Sequence, residues 1–398
     1  MPTHPAPAAA DFERHLITVT AIVSFTGDAS PYGGGDPYAD YRTAAFPFTQ
    51  YVNLADRQLG AGVIAANDEF FAQRENLLLP GPAEFDPEHF GHKGKIMDGW
   101  ETRRRRGASG DHPWPTAEDH DWALVRLGAP GVIRGIVVDT AHFRGNYPQA
   151  VSVEGTSVPG SPSPEELRGD GVKWTTLVPR TPVGGHAANG FAVSVEQRVT
   201  HLRVNQHPDG GVARLRVYGE VVPDPAWLEV LGTFDVVALE NGGRVEDASN
   251  LFYSPATNTI QPGRSRKMDD GWETRRRRDQ GHDWIRYRLV AQSRIRALEI
   301  DTAYLKGNSA GWASVSVRDG DAGGADGEGG TGGWTEIVPR TRLQPDTNHR
   351  FVLPAPAVAT HARVDIYPDG GISRLRLFGS LTEAGASALS GRHRELGG

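Results

Sequence analysis

One nine-residue string occurs twice in this chain. Asp98-Gly-Trp-Glu-Thr-Arg-Arg-Arg-Arg106 returns as Asp270-Gly-Trp-Glu-Thr-Arg-Arg-Arg-Arg278, 172 positions on. Four further blocks return in the same order. His120-Asp-Trp122 and Asp139-Thr-Ala-His-Phe-Arg-Gly-Asn146 recur 162 positions on, as His282-Asp-Trp284 and Asp301-Thr-Ala-Tyr-Leu-Lys-Gly-Asn308. Val178-Pro-Arg-Thr181 recurs at 338–341, and the segment Pro208 to Gly219 recurs as Pro368 to Gly379, both 160 positions on. Five blocks in one order make a duplicated domain. The 398 residues therefore divide into two copies of an ordinary-sized unit. Two prolines near 221–225 mark the boundary. The expected organisation is a partly mobile leader over 1–44, a first repeat over 45–221, a second over 222–380 and a polar tail over 381–398.

Each repeat reads as antiparallel strands. Gly135–Asp139 and Ala297–Asp301 are strand-like. Leu215 and Val217 alternate with Arg214 and Arg216, as Leu375 and Leu377 do with Arg374 and Arg376, the period of a half-buried strand. No long stretch has helical periodicity, and 49 glycines with 28 prolines suit many short strands and turns. The fold class expected is all-β, two tandem β-sandwiches. The run Leu16 to Phe25 reads as one strand in the leader, and the Gly-rich stretch Asp319 to Gly333 as a loop insertion. The order Asp98-Gly99, Thr102, Trp122, Leu127-Gly128, Ile133, closing with Leu202 to Gly219, resembles the galactose-binding or discoidin-like jelly roll. That resemblance implies an eight-stranded jelly roll per repeat, with the ligand site on loops at one end. Six of the nine tryptophans pair between repeats (Trp100 with Trp272, Trp122 with Trp284, Trp174 with Trp334) and should hold equivalent core or site-wall positions.

The absence of cysteine excludes a disulfide scaffold, a thiolate zinc site and a cysteine nucleophile. A net charge of −7 argues against a nucleic-acid partner. Neither a signal peptide nor an apolar run of about 20 residues is present, so no membrane partner and a cytoplasmic location are expected.

The repeated string carries the chemistry. Extended, it sets Glu101, Arg103 and Arg105 on one side. A four-arginine run suits a nucleic-acid patch, structural ties to carboxylates, or a bidentate clamp on an anionic ligand. His142 begins a loop after a strand and has the right range for proton transfer; its counterpart is Tyr304. His207, whose counterpart is Tyr367, and Asp209 stand at a second turn. Asp68 and Glu69 occur only in repeat one. They suit a metal, acid–base work or a turn cap.

The strings Asn53 to Ala61, Asn67 to Ala72, Asn76 to Leu78, Met97 to Arg106, Asp121-Trp122, Asp139 to Pro148 and both Pro-Asp-Gly-Gly segments together resemble the allantoicase family. Asn67 stands where that family usually has serine. The resemblance implies a hydrolase that converts allantoate and water to ureidoglycolate and urea in allantoin degradation, built as a homo-oligomer. On that reading Glu101, His142 and Asp98 are the catalytic candidates. Arg103 or Arg105 would clamp the substrate carboxylate, Asn146 and Asp209 would bind the ureido groups, and Glu273 and Arg275 are the repeat-two counterparts. No cofactor is implied with certainty. A divalent metal stays open, with Asp68, Glu69 and His207 as candidate ligands. The asymmetry of His142, His207 and Asp68 favours repeat one. The rival reading is a non-enzymatic tandem glycan- or anion-binding module.

Overall fold

The computed structural model describes residues 23–24, 46–320 and 333–398. Of the leader strand expected over Leu16 to Phe25, only Val23–Ser24 is among them, pairing antiparallel with Ala188 and Ala187. The rest of that leader and residues 321–332 of the Gly-rich insertion lie outside the described residues.

The all-β class holds, and the named strand pairs are antiparallel. Each repeat is organised on one 19-residue strand, Asp121–Asp139 in the first and Asp283–Asp301 in the second. In repeat one its first half lies between Gly62–Ala66 and Arg198–His207. Its second half lies between Ala187–Ala192 and Arg214–Val221. Repeat two flanks its long strand with Arg244–Ala248, Asn348–Tyr367 and Arg374–Leu381. The sequence permits such length because Val132, Ile133, Ile136, Val137 and Val138 are apolar and all buried; a strand covered on both faces has no need of alternation. Gly135 is required where the ring of Phe48 crosses, since a Cβ there would meet it at 2.1 Å.

Arg214 and Arg216 alternate with Leu215 and Val217 as a half-buried strand requires, yet both arginines are buried too. The segment Leu79 to Pro82 covers them. Arg214 donates to the carbonyls of Gly81 and Pro82 and pairs with Asp98, its Nη2 2.6 Å from Oδ2. Arg216 donates to the carbonyls of Leu79, Pro80 and Gly81. A guanidinium buried with this many acceptors avoids most of the penalty for an unpaired charge.

The tryptophan pairs are equivalent. Trp100 and Trp272 are fully buried, and their indole N–H groups donate to the carbonyls of Asp68 (2.8 Å) and Asn250 (2.7 Å). Trp122, Trp174, Trp284 and Trp334 are half-buried, each beneath an arginine guanidinium.

The tail expected to be a polar extension is instead a helix, Glu383–Glu395, capped by Thr382. Its sparse apolar residues are enough to dock it. Leu389 is buried, and Leu396 just beyond it packs with Val132 of repeat one and with Val222 at the boundary between the repeats. Arg198 N–H donates to the Leu396 carbonyl at 2.9 Å, and Arg392 pairs with Glu220 at 2.8 Å. One cluster of buried side chains runs through both repeats. Among the described residues no helix is long and apolar enough to cross a membrane.

Candidate active site

The repeated string forms a frame before it forms a site. Trp100–Glu101 pairs with Gly211–Val212. Arg104 then reaches back to Asp209 at 2.8 Å and to the Gly145 carbonyl at 3.1 Å. The Arg105 N–H donates to the other Asp209 oxygen at 2.8 Å, and its Nε to Asp121 at 2.9 Å. Repeat two builds the same ties: Arg276 to Asp369 and Gly307, Arg277 to Asp369 and Asp283. Arg105 and Asp209, expected on the substrate, are thus engaged in holding the two turns together. Asp209 is only 3% exposed, and its carboxylate is satisfied by these donors. Arg103 pairs with Asp68, its backbone N–H at 2.6 Å and Nε at 3.0 Å. Arg275 is exposed in the equivalent place, where Asn250 stands for Asp68. Asp98 belongs to Arg214.

Of the expected residues, the structure brings Glu101, His142 and Asn146 together. They line a cavity of about 300 Å³ with Phe71, Phe85, Lys93, Lys95, Met97, Arg144 and Gly145. Asn146 donates to Glu101 Oε1 at 2.7 Å. Burial pushes the Glu101 carboxyl above its ordinary 4.5, against the opposing pull of Asn146 and Arg104. His142 sits in the left-handed region at φ 67°, its ring stacked on Phe85 at 5.3 Å. Its Nε2 lies 3.2 Å from the Ala83 carbonyl. A carbonyl can only accept, so Nε2 carries a proton and, in the neutral ring, Nδ1 keeps the lone pair. Burial pushes the imidazole below its ordinary 6.5.

Sequence reasoning missed the cationic wall. Phe90–Gly91 and Gly94–Lys95 form a short hairpin, with Gly94 supplying a φ of 112° at its turn. Lys93 donates to the Phe70 carbonyl at 2.8 Å and lies over that ring. Lys95 lies 4.7 Å from the Phe85 centroid and 5.4 Å from that of Phe90. Such contacts hold a flexible ammonium in place while leaving its charge unneutralised. A signal was present in the spacing. Nineteen residues separate Leu78 from Asp98, but nine separate Ile260 from Asp270. The flanking short helices Arg74–Leu78 and Ala256–Ile260 correspond, so the ten extra residues of repeat one are what build the hairpin. Repeat two keeps a Glu273–Asn308 hydrogen bond at 2.7 Å, but has Tyr304, 49% exposed, where repeat one has His142.

The metal candidates are not gathered. Asp68 holds Arg103, Glu69 holds Arg74 at 2.8 Å, and His207 Nε2 shares a hydrogen bond with Ser152 at 2.9 Å. Among the described residues no three His, Asp or Glu side chains are arranged to bind a metal ion, so these residues do not fit one.

The model of the allantoicase repeat matches residues 52–222 and 234–382. A probable allantoicase of Streptomyces coelicolor is 83% identical over 379 residues, covering 95% of this chain and 98% of that protein. One from Streptomyces avermitilis is 84% identical over 374 residues, covering 94% and 97%. The crystal structure of allantoicase from Saccharomyces cerevisiae superposes with a TM-score of 0.67 at 30% identity, over 82% of this chain and 92% of that one. With both repeats matched along nearly their whole length, the chain belongs to the allantoicase family.

Proposed function

We infer that the chain is an allantoicase, a hydrolase that releases urea from allantoate, and that the repeat-one cavity is its active site. Allantoate is an anion with two ureido groups on one carbon. Its hydrolysis breaks one C–N bond, forms one C–O bond from water, and leaves ureidoglycolate and urea. The leaving nitrogen needs a proton, and the attacking water must lose one. The observation that carries the reading is a carboxyl raised by burial and an imidazole lowered by burial facing one cavity beneath cations. Glu101 in its protonated form donates to the departing nitrogen. His142 Nδ1 takes the proton from water as its oxygen bonds to the central carbon. Proton exchange with solvent then restores both groups. Lys93, Lys95 and Arg144 hold the substrate carboxylate and fix its orientation. Asn146 keeps Glu101 turned into the cavity.

Family membership and the cationic cavity favour this over a tandem glycan- or anion-binding module. We extend the reading to a role in allantoin degradation, in the cytoplasm, by a homo-oligomer of two-repeat chains. The deciding assay is urea release from allantoate, run with and without chelator and added Mn²⁺. Glu101→Gln should lower kcat by about 10²- to 10⁴-fold with an unchanged circular dichroism spectrum. A variant with wild-type kcat would remove Glu101 from the mechanism, and no urea from the wild-type protein would remove the activity.

A further inference from the structure

Buried behind His142 is a second histidine that the reaction does not touch. His186 is 3% exposed, and its ring centre lies 5.3 Å from that of His142. It grips the same turn twice. Its backbone N–H donates to the carbonyls of Thr140 at 3.1 Å and Phe143 at 2.9 Å. Its Nδ1 accepts the backbone N–H of His142 at 2.8 Å. Both residues have positive φ, 67° for His142 and 49° for His186. Such backbone persists in side-chain-bearing residues only where surrounding contacts over-determine it.

Repeat two makes the same grip with a different atom. Asp346, at φ 52°, accepts the N–H of Tyr304 through Oδ1 at 2.8 Å. The fold therefore tolerates imidazole or carboxylate as the acceptor. The difference is charge. An imidazole whose Nδ1 accepts a hydrogen bond cannot be an imidazolium, so His186 is neutral and carries its proton on Nε2. A carboxylate in its place would be an anion within reach of the His142 ring. The charged and titratable groups already facing His142 are Asp139 and Arg144 on its own segment, Asp98, and Glu101, Lys93 and Lys95 along the cavity.

We propose that His186 is a positioning residue of the repeat-one site, locking the His142 backbone in its left-handed turn through an acceptor that adds no further charge beside it, so that His142 stays an unprotonated base at neutral pH. This rests on the proposed role of His142. The two variants His186→Asp and His186→Asn both supply an Oδ1 acceptor, as Asp346 does, and match in size while differing in charge. For each, kcat/KM for urea release from allantoate is measured against pH, with thermal unfolding as the check on folding. In His186→Asp an adjacent anion favours the imidazolium, so the acid limb should move to higher pH by about 1 unit. In His186→Asn the limb should stay near its wild-type position. Two folded variants with the same limb would overturn the proposal. Should His186→Asp fail to fold, nitrogen-15 chemical shifts of the wild-type protein at pH 7 decide. An unprotonated His186 Nδ1 beside a protonated Nε2 supports the proposal, and an imidazolium overturns it. His142→Asn separates the two readings. Full turnover in that variant removes His142 as the base and His186's purpose with it; lost turnover with unmoved limbs in the His186 variants refutes this inference alone.

Discussion

Glu101 and His142 start from ordinary values of 4.5 and 6.5, which give mainly a carboxylate and, in acid, an imidazolium. Burial disfavours charge on either, raising one and lowering the other, so the neutral pair that can donate and accept becomes more populated. The same physics has a stability cost elsewhere. Burial holds His201 and His207 at about 4, from 6.5. The unfolded chain therefore binds protons first as pH falls, and stability complete above about 6.5 is lost between 6.5 and 4. Each histidine should remove on the order of 1 kcal/mol per pH unit in that window. Denaturant unfolding at pH 7, 6 and 5 measures the slope. His207→Tyr should flatten it, because the Tyr367 hydroxyl already bonds Ser314 at 3.0 Å in the matching place. An unchanged slope would exonerate His207.

Among the elements, the hairpin ending at Lys95 is what separates the two repeats chemically. Both keep a Glu–Asn pair, and in repeat one the hairpin adds Lys93 and Lys95 to the cavity wall. Lys93→Ala combined with Lys95→Ala should raise KM about tenfold or more, near 1.4 kcal/mol, with kcat affected less. Glu273→Gln should leave both constants within twofold, and a loss matching that of Glu101→Gln would mean repeat two also turns over substrate. The sequence made much of this legible. Repeat offsets exposed the duplication, period-two runs exposed the strands, and the strand-end loop exposed His142 and Asn146. What it concealed was pairing at a distance. An arginine run reads alike whether free or tied, and the partners of Arg104 and Arg105 include Asp209, more than a hundred positions away. Burial of Arg214 and Arg216 was concealed for the same reason, since their acceptors are main-chain carbonyls of a distant loop. The lysine wall escaped because the repeated blocks begin at Asp98, downstream of the ten extra residues that build the hairpin, so no offset between blocks registers them.

At the scale of the whole molecule, the terminal helix binds the end of repeat two to the base of repeat one. Leu396→Ala should cost about 2–3 kcal/mol, as buried leucine truncations do, visible as a lower Tm with a single transition retained. Two separate transitions in the wild-type protein would contradict the shared core. The placement of that helix has a consequence for the chain as an object that can be cut. Every wall of the cavity lies before residue 147, yet the seat of Val132 and Val222 is filled from residue 396. A nick in the 222–225 linker would therefore leave all the chemistry in one fragment and part of its support in the other. The amino-terminal piece alone should be poorly soluble and idle, and turnover should reappear when the two pieces are refolded together.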